Sequence, residues 1–107
     1  MKRYGSIIGL SPEKTEEYKK LHSAVWPGVL KMINDCNIRN YSIYFKDGLL
    51  FSYFEYIGKD YDADMAKMAA DPETQRWWDV CKPCQRPLDS REEGEWWTDM
   101  EEVFHYD

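Results

Sequence analysis

The chain has 107 residues, room for one hydrophobic core, and a domain of this size buries roughly two-thirds of its unfolded surface. Its formal charge of −6, with no basic stripe, speaks against nucleic acid or an anionic membrane as partner, because phosphates need cations to neutralise them. No apolar run approaches the roughly 20 residues of a membrane span, no signal-peptide core follows Met1, and three cysteines without a disulfide framework read as a reducing cytoplasm.

Residues Tyr4 to Leu10 are rich in β-formers and predict a first strand, weakened by Gly5 and Gly9. Ser11-Pro12-Glu13 then has the grammar of a helix start, with an N-cap, a proline at the first position and an acid in the first turn. The helix is predicted to run to about Val25, placing Tyr18, Leu21, His22 and Val25 on one face. Pro27 restarts a second helix that carries Val29, Leu30 and Ile33 and ends near Asn37. Ile38 to Phe45 alternates as a strand, with Tyr41, Ile43 and Phe45 on one face. Asp47-Gly48 is a hairpin turn, and Leu49 to Tyr56 is the returning strand.

Asp60 to Ala70 predicts a third helix, carrying Met65, Met68 and Ala69. Asp71-Pro72-Glu73 repeats the cap grammar and opens a fourth, with Trp77, Trp78 and Cys81. Pro83 and Pro87 stop it, residues 85 to 95 form a polar loop, and Trp96 to Tyr106 is the last strand. This order is that of an α+β, ferredoxin-like βαββαβ sandwich. Such a sheet has helices on one face only. Aromatic residues on both faces of these strands make a face-to-face homodimer, closing an α/β-barrel, the expected cover for the other.

The chemical inventory is short. His22 lies one turn after Tyr18 on the apolar helix face, so an imidazole and a phenol would sit together between helix and sheet, where proton transfer is possible. The alternative is a histidine at the core's edge, satisfied by a backbone carbonyl, and spacing does not choose between them. His105, near the chain end, reads as exposed or as an interface residue. Cys81-Lys82-Pro83-Cys84 has redox spacing but lies at a helix C-terminus, where the dipole raises a thiol pKa, and zinc would need two further ligands. Trp77 and Trp78 are about 100° apart on their helix, which points at least one toward a cavity or an interface; the alternative is that these and Trp96 and Trp97 fill the core and a dimer contact, and composition does not choose between them. Neither a G-x-S-x-G, a phosphate-cradling glycine loop nor a Ser-His-Asp set is present. What remains is a histidine, phenols and indoles. That set suits proton shuttling on an uncharged polar ligand without metal or cofactor.

Several stretches together resemble the L-rhamnose mutarotase family. They are Glu16-Glu17-Tyr18 leading to His22, Trp26-Pro27, Asn40-Tyr41-Ser42-Ile43-Tyr44, Leu49-Leu50-Phe51, Gln75-Arg76-Trp77-Trp78 and Glu102-Val103-Phe104, in the family's order and over nearly the whole chain. The resemblance implies one dimeric, ferredoxin-like domain over residues 1–107 that interconverts the α and β anomers of L-rhamnose without a cofactor. It puts the proton donor on His22 and the substrate-binding positions on Tyr18, Tyr41, Trp77 and Trp78. The sequence departs from the family pattern in a hairpin turn shortened to Lys46-Asp47-Gly48. A longer, Met-rich stretch from Gly58 to Asp71 and the segment from Arg91 to Trp97 also differ. These departures bear on the choice of sugar, so a mutarotase for L-fucose or another deoxy-aldose is an alternative; the rivals of other classes are a small cofactor-free monooxygenase on the same dimeric fold and a non-catalytic sugar-binding module.

Overall fold

The computed structural model describes all of residues 1–107. Strand β1 (Lys2–Leu10) leads through a single 3-10 turn at Pro12–Lys14 into α1 (Thr15–His22), followed by α2 (Pro27–Asp35). Hairpin strands β2 (Ile38–Lys46) and β3 (Leu49–Tyr56) come next. After them are α3 (Tyr61–Ala70), α4 (Pro72–Cys81) and two short strands, β4 (Gln85–Arg86) and β5 (Thr98–Met100). The sheet is antiparallel throughout and runs β2-β3-β1-β4, with β5 pairing on the same edge of β1 as β4. This is the expected α+β, ferredoxin-like arrangement.

Local chemistry sets the helix starts. The Asp60 carboxylate accepts from the Ala63 N–H at 3.1 Å, and the Asp71 carboxylate accepts from both the N–H and the hydroxyl of Thr74 at 2.9 Å, as their Asp-first grammar predicts. Ser11 does not cap. Its hydroxyl donates to Glu13, and Pro12–Lys14 winds as a 3-10 turn before the α-helix proper. That helix also stops at His22, short of Val25: Trp26, preceding Pro27, is held extended at φ −61°, ψ 135°, as a residue before proline prefers.

The hairpin forms as predicted, with Asp47 and Gly48 both at positive φ in the turn. The plain alternation expected along β2 is interrupted. Asn40 takes a left-handed φ of 51°, and Asn40 and Tyr41 together fill the place between the Arg39–Glu55 and Ser42–Tyr53 pairs. This bulge advances the phase by one residue. Ile38 and Tyr41 therefore reach the same, helix-covered side of the sheet. The final strand also differs from its prediction: only Thr98–Met100 pairs, and residues 101–107 run as irregular, exposed chain. Arg3 meets the start of this tail through its ion pair with Glu102 at 2.9 Å.

The core lies between the helices and the inner sheet face, where Ile8 and Leu10 of β1 and Leu50 of β3 pack with Val29 of α2 and Trp77 of α4. No helices cover the outer face. The register aligns Tyr44, Phe51 and Ile7 in one cross-strand row there, and Ser42, Tyr53, Gly5 and Met100 in the next.

Candidate active site

The helices do not close down fully on the sheet. Between α1, α2, α4 and the inner face lies a cavity of about 650 Å³, and Tyr18, His22, Tyr41, Trp77 and Trp78 all line it. The volume is in the range of pockets that enclose small organic ligands, about 300–1,000 Å³. The five residues singled out from the sequence thus come from three separate elements to one space.

His22 is the last residue of α1. Its Nδ1 is 2.9 Å from the Tyr18 carbonyl oxygen. A carbonyl only accepts, so Nδ1 carries the proton and the neutral ring keeps a lone pair on Nε2. The backbone-carbonyl alternative is therefore realised, but it occupies one nitrogen and leaves the other for chemistry. The ring stacks on Tyr18 at 4.1 Å and meets the edge of Trp77 at 5.1 Å. Burial lowers its pKa from 6.5, against an opposing pull from the Tyr18 carbonyl. At neutral pH His22 is a proton acceptor held in one tautomer.

Tyr18 is 4 % exposed, and its hydroxyl accepts from Gln85 Nε2 at 3.3 Å. Gln85 Oε1 in turn accepts from the Trp96 indole N–H at 2.7 Å, fixing which end of the amide faces the phenol. The Tyr18 O–H hydrogen is left free for a ligand. Tyr41 hydrogen-bonds to no protein group through its hydroxyl. The residue is 41 % exposed, yet its phenol end lies inside the cavity, and burial pushes its pKa up to about 12. Burial raises the Tyr18 pKa as well. Both phenols are thus neutral donors over the whole physiological range.

Trp77 is 6 % exposed and packs edge-on against Trp26 at 5.1 Å. Its neighbour Trp78 is half-buried, with the Lys82 ammonium 5.6 Å from its ring centre. Both indoles face the cavity, more than the helical geometry required.

Cys81 and Cys84 are buried free thiols, and burial pushes Cys81 up to about 12. A redox thiol needs the opposite shift. His105 stands in the exposed tail, bonded to Asp107 at 2.6 Å, outside this cavity. Met65 and Met68 of the Met-rich stretch border the cavity, and so do Trp96 and Trp97. Sequence reasoning missed Gln85, placed in a polar loop though it pairs with Leu10 in β4, and also Tyr4, Tyr61 and Lys82; Asp99, read with Glu101 and Glu102 as a solvated strand edge, lines the cavity as well.

The family model described as L-rhamnose mutarotase matches residues 3–106. An L-rhamnose mutarotase from Oceanobacillus iheyensis is 35% identical over 107 residues, covering 100% of both chains. One from Bacillus subtilis is 31% identical over 109 residues, again with 100% of both covered. One from Phocaeicola vulgatus is 40% identical over 81 residues, 74% of this chain and 75% of its own. Among solved structures, an L-rhamnose mutarotase from Formosa agariphila superposes with a TM-score of 0.77 at 20% identity, over 100% of each chain. Tetracenomycin F2 cyclase from Streptomyces glaucescens, a type-II polyketide cyclase, gives 0.73 at 12% identity, over 100% of this chain and 98% of its own. At those identities the two structures speak for the fold alone.

Proposed function

The chain belongs to the L-rhamnose mutarotase family, and we propose that it interconverts the α and β anomers of L-rhamnose by acid–base opening and closing of the pyranose ring. The observation that carries the mechanism is the tautomer of His22: Nδ1–H tied to a carbonyl, Nε2 free, in a cavity of aromatic rings.

Ring opening removes the proton from the anomeric hydroxyl, breaks the bond from C1 to the ring oxygen, and protonates that oxygen, leaving an open-chain aldehyde. In our reading neutral His22 takes the anomeric proton at Nε2. The ring oxygen is protonated by a phenol, Tyr41 or Tyr18, or by a water it holds. Rotation about C1–C2 turns the aldehyde over. Reclosure reverses every transfer, with the His22 imidazolium returning its proton to the anomeric oxygen, so that the donor expected on His22 acts in closure at that oxygen in this reading and not at the ring oxygen during opening. Trp77 and Trp78 pack on the sugar's C–H faces and C6 methyl and exclude bulk water.

The uncatalysed reaction already runs in water, and a positioned acid or base contributes about 10²–10⁴-fold. Side chains alone are enough on this account, so the proposed isomerase (of the L-rhamnose 1-epimerase type) draws on no cofactor. Three free cysteines support a reducing, cytoplasmic setting. The uncovered outer sheet face supports a homodimer of one 107-residue domain.

The test is anomeric exchange of L-rhamnose followed by NMR saturation transfer, with L-fucose and other aldoses in parallel. Wild type is expected to accelerate exchange and His22→Ala to lose about 10²–10⁴-fold of that acceleration. Undiminished exchange in the variant would remove His22 from the mechanism. Binding without exchange in the wild type would favour the non-catalytic sugar-binding module instead.

A further inference from the structure

His22 and Tyr18 occupy one end of the cavity, and the proton transfers assigned to them use only the sugar's anomeric side. The other end holds a carboxylate. Strand β5 pairs with β1 so that Asp99 stands directly opposite Ser6, and directly opposed residues of an antiparallel pair point to the same face. Ser6 faces inward, its hydroxyl bonded to that of Ser52 on β3. Asp99 therefore projects over the inner face, and it is the one carboxylate lining the cavity.

Three other acids near the sheet are engaged. Asp64 accepts from Tyr56 and Asn37, Glu55 from Tyr53 and Asn40, and Glu102 from Arg3. Asp99 takes part in none of the chain's ion pairs. The charged groups that bear on it are Glu95 and Lys2, with the Tyr61 phenol beside them, and partial burial raises its pKa. The Asp99 residue is exposed to solvent, so its carboxylate stands at the rim of the aromatic cavity, without a protein partner and free to accept hydrogen bonds from a ligand there.

Strand register sets it apart from the end of the cavity where Tyr18 is held. Gln85, which holds the Tyr18 hydroxyl, stands opposite Leu10, and Asp99 opposite Ser6. Those places are separated along β1 by about 13 Å at 3.3 Å per residue.

We propose that Asp99 is a specificity-determining residue of this site, its carboxylate accepting hydrogen bonds from the O3 and O4 hydroxyls of a 6-deoxyhexose whose anomeric carbon and ring oxygen face His22. The inference rests on the mutarotase reading above. In a pyranose C3 lies across the ring from the ring oxygen and C4 across from C1, so an anomeric centre at His22 presents O3 and O4 at the far end. Both are equatorial in L-rhamnose and diverge in the ring plane toward a two-oxygen acceptor. In L-fucose O4 is axial, which takes one of the two bonds out of line. Asp99 therefore selects for L-rhamnose over L-fucose and against sugars blocked at O4.

The experiment measures kcat and KM for anomeric exchange with wild type, Asp99→Asn and Asp99→Glu, using L-rhamnose, L-fucose and 4-O-methyl-L-rhamnose. Asp99→Asn is expected to raise KM for L-rhamnose about ten- to hundredfold, the loss of a hydrogen bond to a charged group. It should leave kcat within about threefold, because a bond made equally in ground and transition states acts on KM. It should also flatten the preference over L-fucose and over the methylated sugar, and Asp99→Glu should recover part of both. Unchanged KM and preference in Asp99→Asn overturn the proposal. So does a fall in kcat at unchanged KM, which would put Asp99 at the reacting atoms. If wild type exchanges no aldose the mutarotase reading fails separately, and tryptophan-fluorescence titration with L-rhamnose then decides on Asp99: equal affinity in wild type and Asp99→Asn overturns it, and weaker affinity in the variant upholds it.

Discussion

At the scale of the residue, the proposed mechanism rests most heavily on the protonation state of His22, which gives it a definite pH signature. Burial holds the imidazole pKa below 6.5, and the groups facing the ring are Tyr18 and Trp77, neither of them charged. The neutral ring is the form that accepts a proton. The enzymatic part of kcat/KM should therefore stay level through neutral pH and fall as pH drops through a midpoint under 6.5. L-Rhamnose does not titrate there, so the midpoint belongs to the free enzyme. Stability follows the same sign. Between the folded pKa and 6.5 the unfolded chain binds more protons, so stability rises with pH across that window. His22's contribution is complete above 6.5 and is lost as pH falls through the folded value. Exchange rates across pH 4.5 to 8 (roughly the window in which a histidine titrates), with solution background subtracted, check this. A midpoint above 6.5 would mean that the site stabilises the imidazolium, contrary to its burial.

At the scale of the element, the short strand β4 matters more than its two residues suggest. Gly9 pairs with Arg86, and a Cβ on Gly9 would stand 2.6 Å from the Arg86 carbonyl oxygen and 3.3 Å from its Cβ. The obstacle is backbone, so it cannot swing aside. Gly9→Ala should push β4 away from β1 and with it Gln85, which bonds both the Tyr18 hydroxyl and the Trp96 indole. We expect a loss of about 1–3 kcal/mol in urea unfolding, the range for overpacking, together with a higher KM for the sugar. A stability loss with KM unchanged would show that the Gln85 tether does not shape the pocket. Elements of this kind mark where sequence reading stopped. Asp60, Asp71 and the Asp47-Gly48 turn act through bonds to neighbours in the chain, so their helices and hairpin were legible. The Asn40 bulge depends on a partner strand, and β4 with its glutamine depends on meeting β1 from the far end of the chain. The site's side chains were legible as an aromatic and histidine inventory and became a set through family resemblance. Gln85, which supports Tyr18, and Asp99 on the cavity wall were not, because each owes its position to a long-range strand pairing.

At the scale of the molecule, the two faces of the sheet divide the work. The inner face carries the cavity, whereas the outer face presents Ile7, Phe51, Tyr44, Tyr53 and Met100 in adjoining rows, with Tyr44 67 % exposed. Beside it the tail leaves Val103 86 % and Phe104 81 % exposed. Apolar rows of this extent on a small chain are a surface for association. Arg3, Glu55 and Glu102 supply the polar rim that such surfaces have. A two-fold axis through the sheet face would bring like rows together, so that one substitution changes both halves of the interface. Phe51→Glu places two carboxylates in that shared centre while leaving every cavity residue untouched. The expected result is a dimer for wild type and a monomer for the variant by light scattering after size exclusion. The melting temperature of wild type should rise with protein concentration, as mass action requires, and that dependence should vanish in Phe51→Glu. Because the cavity opens on the opposite face, the monomer should keep kcat/KM within a few-fold at temperatures where it remains folded. A wild-type chain that runs as a monomer at every concentration would leave the aromatic rows without a partner of their own kind. A monomeric variant that has lost exchange while still folded would mean that the second copy shapes the cavity through the sheet.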